Sequence, residues 1–285
     1  MKHSNLHRAS GLGRLAGKML IGGAAVAFLG LSINVQAQSC TVGNWTDAVD
    51  LTDDDTGLQG SNNRRYGGPC GLRVPFDGQP RLVMHESGQS ETSYIARFYA
   101  FLDDVGSGDV AIFAAEDGAD DIIRVIYNQA DDELILSVRD ASDEFHELIV
   151  SGVGGGWHSI EFEWHQDAPA EIAFLVNSDD PADEVNMTID TSGLEVTGAM
   201  LGNVAGIDTG GFADFDDFDS RRSTRPGRLL RADANDDGSL TASDVLTVRL
   251  EVLGGSLAAG QPDCNEDGSV TASDILCTRL RVLSQ

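Results

Sequence analysis

Two acidic segments near the C-terminus carry the residue pattern with the clearest chemistry in this chain. They span residues 233–244 and 263–274, and both read D-x-N-x-D-G-S-x-T-A-S-D. Calcium-binding loops place oxygen ligands at positions 1, 3, 5, 7, 9 and 12 and a glycine at the turn in position 6. The sequence therefore predicts two calcium ions, held by these residues: Asp233, Asn235, Asp237, Ser239, Thr241 and Asp244, and Asp263, Asn265, Asp267, Ser269, Thr271 and Asp274.

The two loops belong to an internal duplication, because the residues that follow them, 243–253 and 273–283, are also similar. Apolar residues at helical spacing predict one helix with a single apolar face in each unit. These residues are Val245, Leu246, Leu250 and Leu253 in the first unit, and Ile275, Leu276, Leu280 and Leu283 in the second. We expect the two helices to bury these faces against each other, since neither unit can do so alone.

On these motifs, the segment from about 231 to 285 resembles a type I dockerin, the module that docks secreted polysaccharide-degrading proteins onto cohesin domains. The resemblance implies a small α-helical calcium-binding module over residues 232–285 and a cohesin-type scaffold partner. It also implies partner contacts from loop positions 10 and 11 and from one arginine of each helix: Ala242, Ser243, Arg249, Ala272, Ser273 and Arg279. Leu250 and Leu280 stand where cellulosomal dockerins often have a second basic residue. A calcium-stabilised terminal cap without a partner is the alternative.

The N-terminal segment has the features of an export signal. Basic residues precede an apolar run over residues 19–33, and Val35 and Ala37 offer small side chains at a cleavage site. The sequence predicts a secretory signal peptide over residues 1–37, because the apolar run is short for a membrane span. We therefore expect a secreted, extracellular protein without membrane insertion, and association with the cell surface stays open.

The net charge of the chain is strongly negative, at −27, with 46 acidic and 19 basic residues. Both lysines lie within residues 1–37, so the chain after the predicted signal contains no lysine. A field of this sign repels nucleic acid and anionic membrane surfaces. We therefore expect no nucleic-acid partner.

Four cysteines in an exported chain are expected to form disulfide bonds. Cys264 and Cys277 both lie in the second calcium unit, where a local bond would join loop to helix. This pairing leaves Cys40 and Cys70 to each other, and both bonds imply an oxidising compartment.

The region between the signal and the calcium units has the pattern of strands and turns. Ile160, Phe162 and Trp164 alternate with glutamates, and acidic or glycine turns separate the apolar runs. Many short strands in one stretch predict a single antiparallel β-sandwich or jelly roll over residues 38–222, followed by a linker at 223–231. The candidate strands are 72–76, 81–86, 94–102, 110–115, 122–127, 133–139, 146–150, 159–164, 172–177, 185–189, 198–204 and 213–218.

This region resembles bacterial domains of the laminin G-like and concanavalin-like superfamily. The motifs that carry the resemblance are residues 93–100, 157–164 and 212–222. The resemblance implies a concanavalin-like jelly-roll sandwich that binds a polysaccharide, another glycan or a protein, and in some branches hydrolyses glycosides. It also implies that Trp157 and Trp164 are core residues.

Candidate catalytic and sugar-binding residues are few. Retaining glycosidases need two carboxylates about 5 Å apart, but Glu161 and Glu163 lack the aspartate pattern of the hydrolase branch. We interpret them as the solvated face of an edge-exposed strand. Trp45 and Tyr66 are candidate sugar platforms that we interpret as packing residues. An acidic cluster is formed by Asp214, Asp216, Asp217 and Asp219. Either a further calcium site or a solvated strand surface would account for it.

The sequence thus predicts a secreted, non-catalytic calcium-binding dockerin protein with a lectin-like domain. Its process would be extracellular polysaccharide catabolism or cell-surface assembly. Two alternatives stay open. One is a glycoside hydrolase or lyase attached to a scaffold by its dockerin, and the other is a structural or adhesive surface protein.

Overall fold

A computed structural model describes residues 40–43, 45–51 and 63–285, together with the backbone of residues 59–60. Strands dominate these residues, and they form two antiparallel sheets of seven strands each. Two helices follow near the C-terminus. The prediction of a mainly β protein is therefore confirmed, while the predicted signal peptide over residues 1–37 lies outside the described residues.

The two sheets have the following strands, given from edge to edge. The first consists of β1 (Asp47–Val49), β4 (Arg81–Glu91), β13 (Val196–Asn203), β6 (Asp109–Asp117), β7 (Asp120–Asn128), β8 (Glu133–Arg139) and β9 (Phe145–Ser151). The second consists of β12 (Val185–Ile189), β11 (Ala170–Val176), β10 (Trp157–His165), β5 (Ser93–Phe101), β14 (Asp208–Arg221), β3 (Gly71–Asp77) and β2 (Gln59–Gly60). All twelve strands predicted from the sequence are present.

One apolar core lies between the two sheets and holds them together as a sandwich. Its residues come from the inward positions of strands, which alternate because successive side chains of a strand point to opposite faces. In β10, Ile160, Phe162 and Trp164 are fully buried in this core. The prediction that Trp164 is a core residue is thus confirmed.

A second, smaller aromatic cluster lies on the other face of the second sheet. It contains Tyr66, Tyr99, Phe101 and Trp157, and Leu229 packs against it. Trp157 is therefore buried as predicted, but outside the core between the sheets. We call the face of the second sheet that bears Tyr99 and Phe101 the outer face.

Two helices form the C-terminal module, α1 (Ala242–Val252) and α2 (Ala272–Leu283). Thr241 and Thr271 cap their N-termini, and each forms a capping box with the aspartate three residues on. The module buries a small core of its own, formed by Ala234, Val248 and Ala258 with Val252, Val270 and Ile275 packed against them.

The leucines of the predicted apolar helix faces do not take part in this core. They are between 46% and 71% exposed, and they are Leu246, Leu250, Leu253, Leu276, Leu280 and Leu283. The expectation that the helices bury these faces against each other is therefore wrong for the leucines. Small and β-branched residues fill the narrow space between the loops and the helices, so the longer leucine side chains point to solvent.

Two disulfides join Cys40 to Cys70 and Cys264 to Cys277, and both predicted pairings are confirmed. The first ties the N-terminal end of the described chain to the segment before β3, and the second joins the second acidic loop to α2. Disulfides are typical of proteins in an oxidising compartment. Neither helix of the described residues has the length and hydropathy that crossing a membrane requires.

Candidate metal centre

The first acidic loop, residues 233–244, is wrapped around its own ligand oxygens. Asp233 accepts hydrogen bonds from the backbone N–H groups of Asp237 (3.2 Å) and Gly238 (2.8 Å). Asp244 accepts from the N–H groups of Ala234 (3.0 Å) and Thr241 (2.7 Å). The φ of Gly238 is +78°, which favours glycine at this turn. The first and last ligand positions are therefore held by the backbone of the loop between them.

The second loop, residues 263–274, repeats this geometry almost bond for bond. Asp263 accepts from the N–H groups of Asp267 (3.2 Å) and Gly268 (2.7 Å). Asp274 accepts from the N–H groups of Asn265 (3.1 Å) and Thr271 (2.8 Å). The sequence duplication is thus also a duplication of the backbone hydrogen bonds that hold positions 1 and 12 of each loop.

The electrostatics of the loops favour a bound cation. Four predicted ligand carboxylates are buried, namely those of Asp233, Asp244, Asp263 and Asp274. Among the ion pairs of the described residues, none ends on these four groups. Burial raises the pKa of Asp263 to about 7, although the Gly268 N–H opposes the shift. Oxygen-only ligands around uncompensated carboxylates fit a hard divalent ion such as calcium.

The predicted partner-binding residues all lie on the surface of the module. Ala242, Ser243 and Arg249 are exposed on α1, and Ala272, Ser273 and Arg279 occupy the equivalent exposed positions on α2. The exposed leucines follow the same two helices. Each helix therefore presents a surface of small, apolar and basic side chains, and the two surfaces are related by the duplication.

The predicted linker is not a free tether. Residues 225–231, which we call the strap, run across the outer face of the second sheet. The Gly227 N–H donates to Glu161 (2.7 Å), the Leu229 N–H donates to the Tyr99 hydroxyl (2.8 Å), and Arg225 Nε donates to Glu163 (2.7 Å). The described residues between Cys40 and Gln285 accordingly belong to one compact unit.

This strap explains why the interpretation of Glu161 and Glu163 as a solvated edge is wrong. Strand β10 lies between β5 and β11 inside the sheet, and Glu161 is only 8% exposed. Burial raises the pKa of Glu161 despite the hydrogen bond from Gly227. Burial also acts on Glu163, but hydrogen bonds from His165 and Arg225 outweigh it, so the pKa of Glu163 is lowered. Both carboxylates are engaged by the strap or its neighbours.

Glu161→Gln and Glu163→Gln are expected to change the pH dependence of stability in opposite directions. Because the pKa of folded Glu161 is raised above 4.5, its contribution is present at lower pH and lost as the pH rises through the folded value. Glu161→Gln should therefore gain stability relative to the wild type as the pH rises from 4.5 toward neutrality. The lowered pKa of Glu163 gives the reverse: its contribution is present above 4.5 and lost as the pH falls through the folded value.

Thermal unfolding across this pH range measures both effects, and each variant serves as the other's control. Glu163→Gln should be less stable than the wild type at neutral pH, because Arg225 and His165 lose their anionic partner, and should approach it in acid. Parallel pH profiles for the two variants would contradict the assigned shifts.

Three aspartates of the acidic cluster of β14 are paired with arginines or backbone, while one carboxylate oxygen of Asp217 is buried without a hydrogen-bond partner. Asp214 is fully buried and accepts from Arg73 (2.8 and 2.9 Å) and Arg64 (3.2 Å). Asp216 accepts from the N–H groups of Tyr66 (2.7 Å) and Gly67 (3.1 Å), and burial raises its pKa. Asp219 pairs with Arg221. The interpretation as a solvated strand surface is therefore wrong for this cluster.

The aromatic candidates are packed as interpreted from the sequence. Trp45 lies 4.6 Å from Phe218 between ring centroids. Tyr66 is fully buried and stacks on Tyr99 at 3.5 Å between centroids. A cavity of about 400 Å³ opens beside Trp45 and is also lined by Tyr94, His85, Asp219 and Ser220, among others.

One group of possible metal ligands was not predicted. Atoms of Asp140, Glu144 and His146 lie within 4.8 Å of one another in the described residues. Asp140 accepts from the N–H groups of Ser142 and Glu144 and is hydrogen bonded to His146. These bonds close the turn between β8 and β9, and they account for the cluster without an ion.

Comparison with protein-family models gives no match, and comparison with curated proteins gives no relative. Among solved structures, an endo-beta-1,4-glucuronan lyase from the fungus Trichoderma reesei is 12% identical, with a TM-score of 0.46 over 65% of this chain and 94% of that one. The receptor binding domain of botulinum neurotoxin type G is 9% identical, with a TM-score of 0.42 over 64% of this chain and 42% of that one. This chain thus matches about two fifths of the neurotoxin structure. These similarities are too distant to indicate a ligand or an activity for this chain.

Proposed function

We propose that this is a secreted protein whose C-terminal module binds two calcium ions and docks to a protein partner in the manner of a dockerin. The observation that carries the calcium proposal is the pair of loops with matching hydrogen bonds and with buried carboxylates that form no ion pair. Their residues would hold the ions through the side chains of positions 1, 3, 5 and 12, the carbonyl of position 7 and the hydroxyl of position 9. Bound calcium would supply positive charge that stabilises the loops.

Partner docking is supported by the exposure of both helix surfaces. Solvent-exposed leucines on neighbouring turns are a feature of binding surfaces. They lie beside the exposed residues at loop positions 10 and 11 and the exposed Arg249 and Arg279. We propose a cohesin-type domain as the partner, since the loop and helix pattern resembles that of type I dockerins.

The first test is the number of ions bound. Titration calorimetry of residues 38–285 with calcium should give two ions per chain, and native mass spectrometry should show the same mass increment. A chain that binds no calcium at millimolar concentration would refute the metal proposal, whatever the outcome of partner binding.

For the sandwich, we propose recognition of a polysaccharide or surface glycan. The supporting observation is the open cavity beside Trp45, because aromatic rings flanked by polar side chains are typical of sugar sites. A glycan array with the full chain tests this proposal, with Trp45→Ala as the variant expected to lose the signal. Release of reducing or unsaturated ends from polysaccharides would instead favour the hydrolase or lyase alternative. A negative array without such release would favour a structural or adhesive protein.

A further inference from the structure

The second acidic loop is built into the contact with the sandwich. Glu266, at loop position 4, accepts a hydrogen bond from the Tyr66 hydroxyl (2.7 Å). The same carboxylate pairs with Arg228 (3.1 Å) and Arg231 (3.1 Å) of the strap. Asp236 is the equivalent residue of the first loop, and it is exposed, with no ion pair among the described residues. The duplication is therefore asymmetric at this position.

The backbone of the second loop is held as well. The Trp157 N–H donates to the Glu266 carbonyl at 2.9 Å. Gly156 permits this approach, because a Cβ there would lie 2.5 Å from the Glu266 carbonyl oxygen. At loop position 6, a Cβ on Gly268 would lie 2.5 Å from the ring of Phe101. The sandwich thus contacts the residues on both sides of Asp267, a predicted ligand.

Position 4 has a left-handed backbone in both loops, with φ of 58° at Asp236 and 62° at Glu266. This conformation is unfavourable for most residues other than glycine, asparagine and aspartate, so Glu266 in particular must be held in it. Residues Tyr66, Arg228 and Trp157 hold it in the second loop. Asp236 of the first loop has no such ion pair among the described residues. Fewer degrees of freedom then have to be ordered when an ion enters the second loop.

We propose that the sandwich presets the second loop for its cation, so that cation binding there and docking of the module on the sandwich strengthen each other. The sandwich should affect cation binding at the first loop less, because no ion pair of the described residues reaches its position 4. This inference rests on the proposed calcium function. Reciprocity is a thermodynamic requirement, because two coupled equilibria must affect each other by the same factor. Tyr66 and Glu266 are accordingly positioning residues, not ligands.

The test compares Tyr66→Phe with Tyr127→Phe in a chain whose first loop is inactivated by Asp244→Ala. Tyr66→Phe keeps the ring stacked on Tyr99 but removes the hydrogen bond to Glu266, whereas Tyr127 lies on β7 of the other sheet. Calcium titration calorimetry should show binding about fivefold weaker for Tyr66→Phe. Tyr127→Phe should bind like its parent.

A second measurement, hydrogen exchange with and without calcium in a chain that keeps Tyr66, tests the reciprocal effect. Calcium should slow exchange at the amide of Trp157, which donates to the Glu266 carbonyl of the second loop. Asp274→Ala should remove this protection and Asp244→Ala should leave it. Equal affinities of the two tyrosine variants, or the same exchange rate at Trp157 with and without calcium, would overturn the inference while calcium still binds. Absence of calcium binding to the Asp244→Ala parent would instead refute the metal site in the second loop.

Discussion

Replacing Asp244 and Asp274 together by alanine is expected to abolish calcium binding, and each single replacement should remove one of two ions. The position-12 carboxylate couples metal binding to the ordering of the first helical turn, because it is both a predicted ligand and the N3 residue of the capping box. Titration calorimetry of the three variants measures the stoichiometry. Asp236→Asn is the matched control, since it removes one negative charge from position 4 of the first loop, which is not a ligand position, and asparagine tolerates the left-handed backbone there.

The same replacements should lower the stability of the C-terminal module. A ligand present at a thousand times its dissociation constant stabilises the folded state by about 4 kcal/mol per site. Calorimetric unfolding with and without chelator should therefore shift the transition of the module, while the core between the sheets keeps its own transition. If Asp244→Ala and Asp274→Ala bind as many ions as the wild type, the loops are not metal sites. The same conclusion follows if the chelator does not shift the unfolding transition of the module.

Substituting both Ala-Ser pairs of the module by Glu-Arg is expected to abolish docking, whereas substituting either pair alone should leave it nearly intact. Ala242-Ser243 and Ala272-Ser273 are exposed at equivalent positions. Because the duplication gives the module approximate twofold symmetry, a partner can meet either helix in one of two orientations. Bulky charged pairs would block one orientation each, and the double substitution leaves none.

An immobilised type I cohesin domain is the probe, and binding is measured by surface plasmon resonance with calcium and with chelator. The sandwich offers a matched control in Ala141-Ser142, an exposed Ala-Ser pair that is also followed by an aspartate. Placing Glu-Arg there should leave binding unchanged. If the wild-type chain binds no cohesin in calcium, the module is a metal-stabilised cap. If one pair alone abolishes binding, the two orientations are not equivalent.

Much of the sandwich could be predicted from local patterns. Strand β10 is an example, since apolar and acidic residues alternate from Ile160 to Trp164, and a strand places alternate side chains on opposite faces. The disulfide pairing also followed from the sequence, because Cys264 and Cys277 fall within one duplicated unit. The ligand spacing of the two loops is likewise local, since twelve consecutive residues fold around one point.

What the sequence could not reveal is how separate segments cover one another. Glu161 reads as an exposed residue of an alternating strand, but it is buried because the strap crosses the outer face. Trp157 is buried as predicted, but the sequence does not indicate that it is buried beneath the second loop rather than between the sheets. The helical spacing of the leucines of α1 and α2 predicts that they are buried, but small side chains fill the module core and the leucines are exposed.

The physical reason for this division is the range of the interactions involved. Alternation, helix capping, ligand spacing and the local disulfide depend on neighbours within about a dozen residues, so the order of residues along the chain determined them. The burial of a face depends on a partner far away in sequence: Glu266 meets Tyr66 across 200 residues. Only the tertiary structure decided that the two acidic loops, nearly identical in sequence, differ at position 4, where Asp236 is exposed and Glu266 is held against the sandwich.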